Sequence, residues 1–378
     1  MTTTTVSGTR ARVVRWQAGN GLAGVPQAAA PIAFALIALP ITGSAESGAV
    51  LVLAMTAAQI AGAVPMSRLG ARFDGVRFLR TLIAIRTAAL LAVTGLAAAG
   101  VPFPLLVAAA AAAGSVNGAA HGYQRMLLTH LVPPDRLPRA LGVAATLNEL
   151  TFAASPVLAS VLGAVSPVAA TAVITVLGAG PMVLMPRVPI PPPEPRAADR
   201  RAIPREAYLW LFCSLACAGS VAAVEVGAVS FALSFGMTPG LAFVFALVLC
   251  AGSVSGGIGV SVRNRMPANR TIVVLLAVAT AAATLILAGG HLATTLAGAA
   301  VLGFLLPQFG TFYSLSLDRL APPGRRAEVF ALQRTAGSLG VITISALLAT
   351  AGLRAALIGG VALLGAALLL AARHTRAR

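Results

Sequence analysis

The chain has 378 residues, of which 58% are hydrophobic and only 10% are charged, and its mean hydropathy is +0.90. A soluble globular chain carries about 25% charged residues, so this composition excludes an ordinary water-soluble enzyme or binding domain. The formal net charge of +17 would suggest nucleic acid if the basic residues covered a soluble surface. They lie between apolar stretches instead, so we expect a membrane protein with no nucleic-acid partner.

Twelve apolar stretches are long enough to cross a membrane. A spanning helix needs about 20 apolar residues, because a rise of 1.5 Å per residue must cover a hydrocarbon core of roughly 30 Å. The first stretch is longer than a signal-peptide core of about 7–15 residues, so it is interpreted as a retained helix although Ser44–Glu46 resembles a cleavage site. The predicted spans are 21–43, 48–66, 81–100, 103–123, 138–163, 166–186, 207–230, 238–261, 271–290, 292–312, 328–349 and 353–372.

Basic residues alternate between the two sides of these spans. If the N-terminus is cytoplasmic, nearly all of the 27 basic residues fall in cytoplasmic segments, and the outer loops are short and almost uncharged. This positive-inside pattern predicts a multi-pass protein of the inner (cytoplasmic) cell membrane with both termini in the cytoplasm. We expect a monomer surrounded by the lipid bilayer.

Two similar halves are predicted from a repeated loop. Leu131–Arg136 reads LVPPDR before the fifth span, and Leu320–Arg325 reads LAPPGR before the eleventh, at an offset of 189 residues. Similar loops at equivalent places indicate internal duplication, which is common in secondary transporters. The predicted organisation is a cytoplasmic tail at 1–20, a six-helix bundle at 21–186, a Pro/Arg-rich cytoplasmic linker at 187–206, a second six-helix bundle at 207–372 and a cytoplasmic tail at 373–378.

This arrangement of six helices, basic central loop and six helices resembles the major facilitator superfamily over nearly the whole chain. In that family the loop between spans two and three has a basic motif, and here Ser67–Arg77 reads SRLGARFDGVR. Arg72 and Arg77 fit the motif, whereas Ala71 replaces the usual acid and Asp74 stands where glycine is common. The resemblance implies an all-α fold of two pseudo-symmetric six-helix bundles. It also implies a cytoplasmic latch at this loop, with Asp74 as a candidate for the missing charge.

The fifth span is similar to that of some bacterial drug and metabolite exporters. Antiporters of the family often carry Gly-Pro-x-x-Gly-Gly there, and Ser155, Pro156 and Ala159 occupy the corresponding positions. Small residues let helices approach closely, and proline can bend a helix in lipid. Glu149, seven residues before the proline, completes the similarity.

Three titratable residues inside spans are candidates for proton coupling. An acid within a span costs about 2.5–3.5 kcal/mol on insertion scales and therefore normally faces a cavity or a partner. Glu149 lies near the middle of span five, where it can bind and release a proton or can simply be a hydrogen-bonded packing group. Glu225, in the outer third of span seven, either recognises a cationic substrate or reaches outer water. His121 is included because the ordinary pKa of histidine lies near neutral pH.

Other polar residues are candidates for the substrate cavity. Asn117, His121 and Gln124 share one face of span four, which the resemblance places at the cavity, although a polar stripe equally serves helix packing in lipid. Arg86 either extends toward the inner surface or acts as charge partner of Glu149 or another acid. The cavity candidates are Gln27, Asn117, Gln124, Asn148, Gln308, Phe309, Tyr313 and Arg334.

These features predict a proton-coupled exporter of a small amphipathic or cationic compound. An importer or symporter with the same fold is the alternative, followed by a membrane-embedded protein that does not transport. An enzyme is disfavoured because every aspartate lies outside the spans and no Gly-Lys phosphate loop exists. No metal or other cofactor is expected, because Cys213, Cys217 and Cys250 lack neighbouring His or carboxylate ligands. The expected partners are the substrate, protons and lipid.

Overall fold

The computed structural model describes residues 3–43, 47–188, 203–237, 243–322 and 325–376. Within these ranges every regular element is an α-helix. The last helix consists of two helices joined at Gly352, whose φ of 80° is readily adopted by glycine. The helices are α1 (Thr3–Thr42), α2 (Ser47–Gly70), α3 (Gly75–Ala98), α4 (Phe103–Leu131), α5 (Leu137–Val165), α6 (Pro167–Ala179), α7 (Pro181–Leu184), α8 (Arg205–Val226), α9 (Ala228–Ser234), α10 (Phe243–Arg263), α11 (Asn269–Ala288), α12 (Leu292–Leu320) and α13 (Arg326–Arg376).

Twelve helical segments of the described ranges are long and apolar enough to cross a membrane, which confirms the predicted all-α fold class. Several helices are longer than the predicted spans. The first begins at Thr3 rather than near residue 21, and α4 continues to Leu131 rather than 123. Hydropathy marks only the part of a helix that suits hydrocarbon, whereas backbone hydrogen bonding continues into the flanking polar residues.

Local sequence explains several helix starts. Asp74 caps α3, because its Oδ1 accepts a hydrogen bond from the backbone N–H of Arg77 at 2.8 Å. Ser166 caps α6 in the same way by accepting from the N–H of Ala169 at 3.2 Å, and Pro167 occupies the first helical position. These caps fix the ends of two helices that contribute to the polar cluster described below.

The chain divides into two compact units that are each discontinuous in sequence. Unit 1 comprises Met1–Pro134, Leu147–Ala202 and Pro322–Thr335, and unit 2 comprises Asp135–Thr146, Ile203–Ala321 and Ala336–Arg378. The beginning of α5 is therefore counted with unit 2, and the beginning of α13 with unit 1. The predicted bundles at 21–186 and 207–372 are continuous in sequence and do not contain this exchange. Most of the predicted linker, residues 189–202, lies outside the described ranges.

Unit 1 is organised around close packing of α2 against α4. A Cβ atom at Gly62 would overlap the carbonyl oxygen of Ser115, and one at Gly114 would overlap that of Met55. Glycine is therefore required at both positions for these backbones to approach so closely, as in other helix pairs in lipid. Beside this seam lies a buried apolar cluster that includes Phe34, Leu51, Leu90 and Leu106.

Unit 2 repeats this arrangement with α10 and α12. A Cβ atom at Gly256 would overlap the carbonyl oxygen of Phe304, and one at Gly303 would overlap that of Leu249. Gly303 lies 189 residues after its counterpart Gly114, the same offset as between the two repeated loops. Gly256 follows Gly62 by 194 residues, as Leu249 follows Met55. The duplication that the loops indicate therefore extends to matched backbone contacts in the two units.

Candidate functional site

Arg86 occupies the centre of a polar cluster in unit 1. Its side chain is buried, and only 5% of the residue is exposed. Nη1 donates to the carbonyl oxygen of Ala23 at 3.0 Å and to Asn117 Oδ1 at 3.0 Å, and Nη2 donates to the carbonyl oxygen of Gly178 at 2.6 Å. Arg86 therefore connects α3 to α1, α4 and α6 through three neutral oxygen atoms.

These partners differ from the prediction that Arg86 pairs with Glu149 or another acid. Within the described residues Arg86 makes no ion pair. Gly178 lies in the last turn of α6, where the carbonyl groups lack helical partners and can accept from a side chain. Hydrogen bonds to such oxygens satisfy much of the guanidinium group without a carboxylate. Arg86 is thus a structural link between helices of unit 1.

Asn117 extends the cluster to two glutamines. Its Nδ2 donates to Gln27 Oε1 at 3.0 Å and to Gln59 Oε1 at 2.7 Å. The four side chains come from four different helices, so the cluster connects α1, α2, α3 and α4. Two of the members, Gln27 and Asn117, are predicted cavity candidates. Gln59 is not among the residues predicted from the sequence. It could have been predicted because it is the single amide side chain inside the apolar second span, where a polar group needs a partner.

The polar stripe predicted on span four does not act as one group. Asn117 belongs to the cluster around Arg86, whereas His121 is exposed and the side chain of Gln124 is buried. The backbone oxygen of Gln124 accepts a hydrogen bond from Trp16 Nε1 at 2.9 Å. Trp16 is itself almost fully buried, so this segment of α4 is packed against α1. His121 is the exposed member of the stripe.

Glu149 and Asn148 lie in the part of α5 that belongs to unit 1. Glu149 is half-buried near the middle of the helix, and Asn148 is exposed. Asn148 Oδ1 lies 3.9 Å from the position that a Cβ atom would take at Gly24 of α1. Asn148 thus lies beside the glycine-containing segment of α1.

The fifth-helix motif is a packing motif in unit 1. Ala159 is fully buried in an apolar cluster with Val25 and Ala29 of α1. Ser155 is buried and donates its hydroxyl group to the carbonyl oxygen of Thr151 at 2.6 Å, while Pro156 is half-buried. The small side chains therefore permit the contact between α5 and α1 that the sequence predicts for such residues.

The loop after α2 forms a charged contact through residues other than those predicted. Arg68 Nε and Nη2 donate to Glu328 Oε1 at 3.1 and 3.0 Å. Arg325 donates to both oxygens of the same carboxylate at 2.8 Å. Arg72 and Arg77 are exposed. The suggestion that Asp74 supplies the latch charge differs from what is found, because Asp74 caps α3 and Glu328 at the start of α13 provides the carboxylate.

Unit 2 has an uncharged contact at the equivalent place. Asn264, which follows α10 and has a φ of 46°, accepts at Oδ1 from the N–H of Arg139 at 2.9 Å. Its Nδ2 donates to the carbonyl oxygen of Asp135 at 2.8 Å. Each unit therefore connects the loop after its second span to a short segment exchanged from the other half of the sequence. The contact is ionic in unit 1 and neutral in unit 2.

The candidates on α12 lie in the aromatic interior of unit 2. Phe309 and Tyr313 are buried and stack on each other with ring centroids 5.8 Å apart. The hydroxyl group of Tyr313 lies 3.5 Å from Cys217 Sγ. Their prediction as cavity-lining side chains is therefore not supported by their burial. Gln308 is half-buried and donates to the carbonyl oxygen of Phe304 in its own helix at 3.3 Å.

The remaining candidates differ in exposure. Glu225 is exposed, one residue before the end of α8 in unit 2. Arg334 is half-buried in unit 1 and interacts electrostatically with His121. Among the residues that the structure describes, no group of three His, Cys, Asp or Glu side chains is arranged to hold a metal ion.

Comparisons with known proteins identify the architecture. The family model described as Major Facilitator Superfamily matches residues 19–345. No curated protein matches the sequence. Three similar solved structures are those of the human organic anion transporter MFSD10 (TETRAN), a bacterial homologue of the iron transporter ferroportin in an outward-facing state, and the E. coli fucose:proton symporter FucP.

These three structures align with the chain almost from end to end. The MFSD10 structure has 12% identity, a TM-score of 0.76, and coverage of 96% of this chain and 99% of its own. The ferroportin homologue has 16% identity, a TM-score of 0.77, and coverage of 97% of this chain and 99% of its own. FucP has 15% identity, a TM-score of 0.73, and coverage of 96% of this chain and 98% of its own. At such identities the likeness shows a shared fold.

Proposed function

Because the chain belongs to the Major Facilitator Superfamily, we propose that it exports a small amphipathic compound in exchange for protons by alternating access. The chain is a multi-pass membrane protein and a transporter rather than an enzyme. In this proposal it works as a monomer in the cell membrane with both termini in the cytoplasm. The alternation of basic and uncharged loops along the sequence supports that orientation.

Glu149 carries the proposal of proton coupling. The described part of unit 1 has three acidic side chains, and two of them lie at helix starts, Asp74 as the cap of α3 and Glu328 in the first turn of α13. Glu149 is the third, half-buried in the middle of α5. A carboxyl group at such a depth binds or releases a proton according to its access to water, which is the property that a coupling group needs.

The proposed direction of transport is export. Export is favoured by the fifth span, in which Ser155, Pro156 and Ala159 stand at the positions of the antiporter motif. Import or symport of a small solute with the same fold is the second candidate, and the FucP neighbour is a fucose:proton symporter. Two charges are possible for the transported compound. Glu225 favours a cation, whereas the basic residues of unit 1 favour an anion.

Proteoliposomes with an imposed proton gradient test the proposed coupling. Ethidium and carboxyfluorescein serve as amphipathic probes of opposite charge. We expect the wild-type protein to move a probe against its gradient when protons flow the other way. Glu149→Gln should abolish this accumulation but retain probe exchange without a gradient, because the neutral side chain removes only the proton step. Asp135→Asn, which changes an exposed loop carboxylate, is the matched control.

Two outcomes would contradict the proposal. Gradient-driven accumulation by Glu149→Gln at the wild-type level would exclude Glu149 as the coupling group. Accumulation only when protons and probe move in the same direction would replace export with symport.

A further inference from the structure

In unit 1, α4 and the beginning of α13 are in backbone contact. A Cβ atom at Gly122 would overlap the carbonyl oxygen of Ala327 and would lie 3.2 Å from the backbone nitrogen of Ala331. Glycine at this position allows the two helices to approach closely. The contact lies within a few residues of three basic side chains.

These basic side chains, His121, Arg125 and Arg334, converge along this contact. Arg125 Cζ lies 5.8 Å from the centre of the Phe330 ring. Arg334 follows Phe330 by four residues, so both lie on one face of α13, and His121 precedes Arg125 by four residues on one face of α4. His121 interacts electrostatically with both arginines. The guanidinium groups of Arg125 and Arg334, with the His121 imidazole beside them, are thus gathered here from two helices that are distant in sequence.

Within the described part of the chain, the positive charge of Arg334 is not neutralised by a nearby acidic side chain. Arg334 is half-buried and makes no hydrogen bond or ion pair to any residue in the described ranges. Glu328, six residues earlier on α13, is already bound by Arg68 and Arg325. Partly buried charges are normally paired, since desolvation without a partner is costly. His121 is exposed, so the cluster is not enclosed by protein on that side and a solute can contact it.

We propose that His121, Arg125 and Arg334 bind an oxyanion group, carboxylate or phosphate, on the transported solute. This inference rests on the proposed transport function and specifies its substrate class. The planar guanidinium group of Arg334 matches an oxyanion with two parallel hydrogen bonds, and His121 offers a further donor. The ring of Phe330 provides an apolar surface beside them. An amphipathic acid therefore fits this site better than the cationic compound that Glu225 favours.

Trp16 provides a reporter for this site. Its indole N–H donates to the backbone oxygen of Gln124, which directly precedes Arg125. The chain has two tryptophans, and Trp210→Phe removes the other one, which packs on Phe312 in unit 2. The fluorescence of the purified Trp210→Phe protein then reports on the α4 segment in detergent solution.

The binding experiment uses benzoate, phenyl phosphate and benzylamine at constant ionic strength. We expect a saturable fluorescence change with at least one of the two anions and none with benzylamine. Arg334→Gln should weaken anion binding by about tenfold or more, because a charge-assisted hydrogen-bonded contact is lost. Arg334→Lys should show an intermediate loss, since it keeps the charge without the two-pronged geometry. The relative affinities of benzoate and phenyl phosphate identify the preferred oxyanion.

Arg354→Gln is the matched control, because Arg354 is an exposed arginine on α13 in unit 2, and its anion affinity should equal that of the parent. The proposal is overturned if neither anion binds, if benzylamine binds instead, or if Arg334→Gln and His121→Asn keep full affinity. If Arg334→Gln does not fold, the anion affinity of Arg334→Lys is used instead. Full affinity of that variant would overturn the proposal. Binding does not require transport, so this result is independent of the proton-driven export assay.

Discussion

Arg68 and Glu328 are 260 residues apart in sequence, yet two nitrogens of the arginine donate to one oxygen of the carboxylate. The two side chains are very unequal in exposure, at 64% for Arg68 and 6% for Glu328. Arg325, which is 22% exposed, completes the neutralisation of the carboxylate. The contact is therefore centred on a nearly buried acid whose removal leaves two cations without their shared partner.

We expect Glu328→Gln to lower the free energy of unfolding by about 1–3 kcal/mol, because charge-assisted hydrogen bonds are lost around a nearly buried group. Arg68→Gln should cost less than about 1 kcal/mol, since solvent screens an exposed partner. Thermal unfolding of the two purified variants in detergent compares them directly. An equal or larger loss for Arg68→Gln would show that the exposed arginine carries the contact.

The glycine seam of unit 2 gives a second prediction with a control in the same helix. Gly303→Ala should destabilise the protein by about 1–3 kcal/mol, because the new methyl group would overlap the carbonyl oxygen of Leu249. Gly310→Ala, where no heavy atom lies within 4 Å, should be neutral or should stabilise by up to about 1 kcal/mol through helix propensity. Unfolding midpoints measure both changes. Similar midpoints for the two variants would mean that the seam tolerates a side chain.

The hydrogen bonds of Arg86 give a third prediction. Arg86→Lys keeps the charge, but one ammonium group cannot reproduce the directions of three hydrogen bonds to Ala23, Asn117 and Gly178. We expect a loss of about 1–3 kcal/mol in stability, which thermal unfolding would measure. Arg136→Lys, at an exposed loop position, should change stability little. If Arg86→Lys unfolds like the wild type, the cluster is more adaptable than its contacts indicate.

Cysteine labelling tests the predicted orientation. Cys213 and Cys217 are buried and Cys250 is partly buried, so all three are first replaced by serine or alanine. Arg265→Cys should react with an impermeant maleimide only after the cells are permeabilised, because its loop is predicted to be cytoplasmic. Gly290→Cys, in an exposed loop on the opposite side, should react in intact cells. The reverse pattern would invert the proposed topology.

The sequence predicted the fold well because each span must present a long apolar stretch to lipid. The start of α4 at Phe103, for example, coincides with the predicted start at 103. The cluster around Arg86 could be predicted only in part. The charge of Arg86 and the polar amide of its partner Asn117 are visible in the sequence, but the availability of the carbonyl of Gly178 depends on where α6 ends. Hydropathy gives no sign of that position.

Contacts between residues distant in sequence could not be predicted, for a different reason. Nothing near Arg68 in sequence indicates Glu328, which was therefore not a candidate, and Asp74 was considered in its place. Phe309 and Tyr313 illustrate the opposite problem, since an aromatic residue in a span looks the same whether it lines a cavity or packs in an interior. Their burial decides between these alternatives only when the neighbouring helices are known.

The matched glycine seams limit which movements the transport cycle can use. In each unit two long helices meet backbone to backbone, with carbonyl oxygens occupying the space where side chains would otherwise lie. Sliding or rotating one helix of such a pair would force these atoms together, so α2 with α4, and α10 with α12, must travel as single rigid bodies. In the proposed alternating-access cycle, the bending is therefore expected to come from other helices, such as α5 with its internal Pro156 or the Gly352 joint of α13.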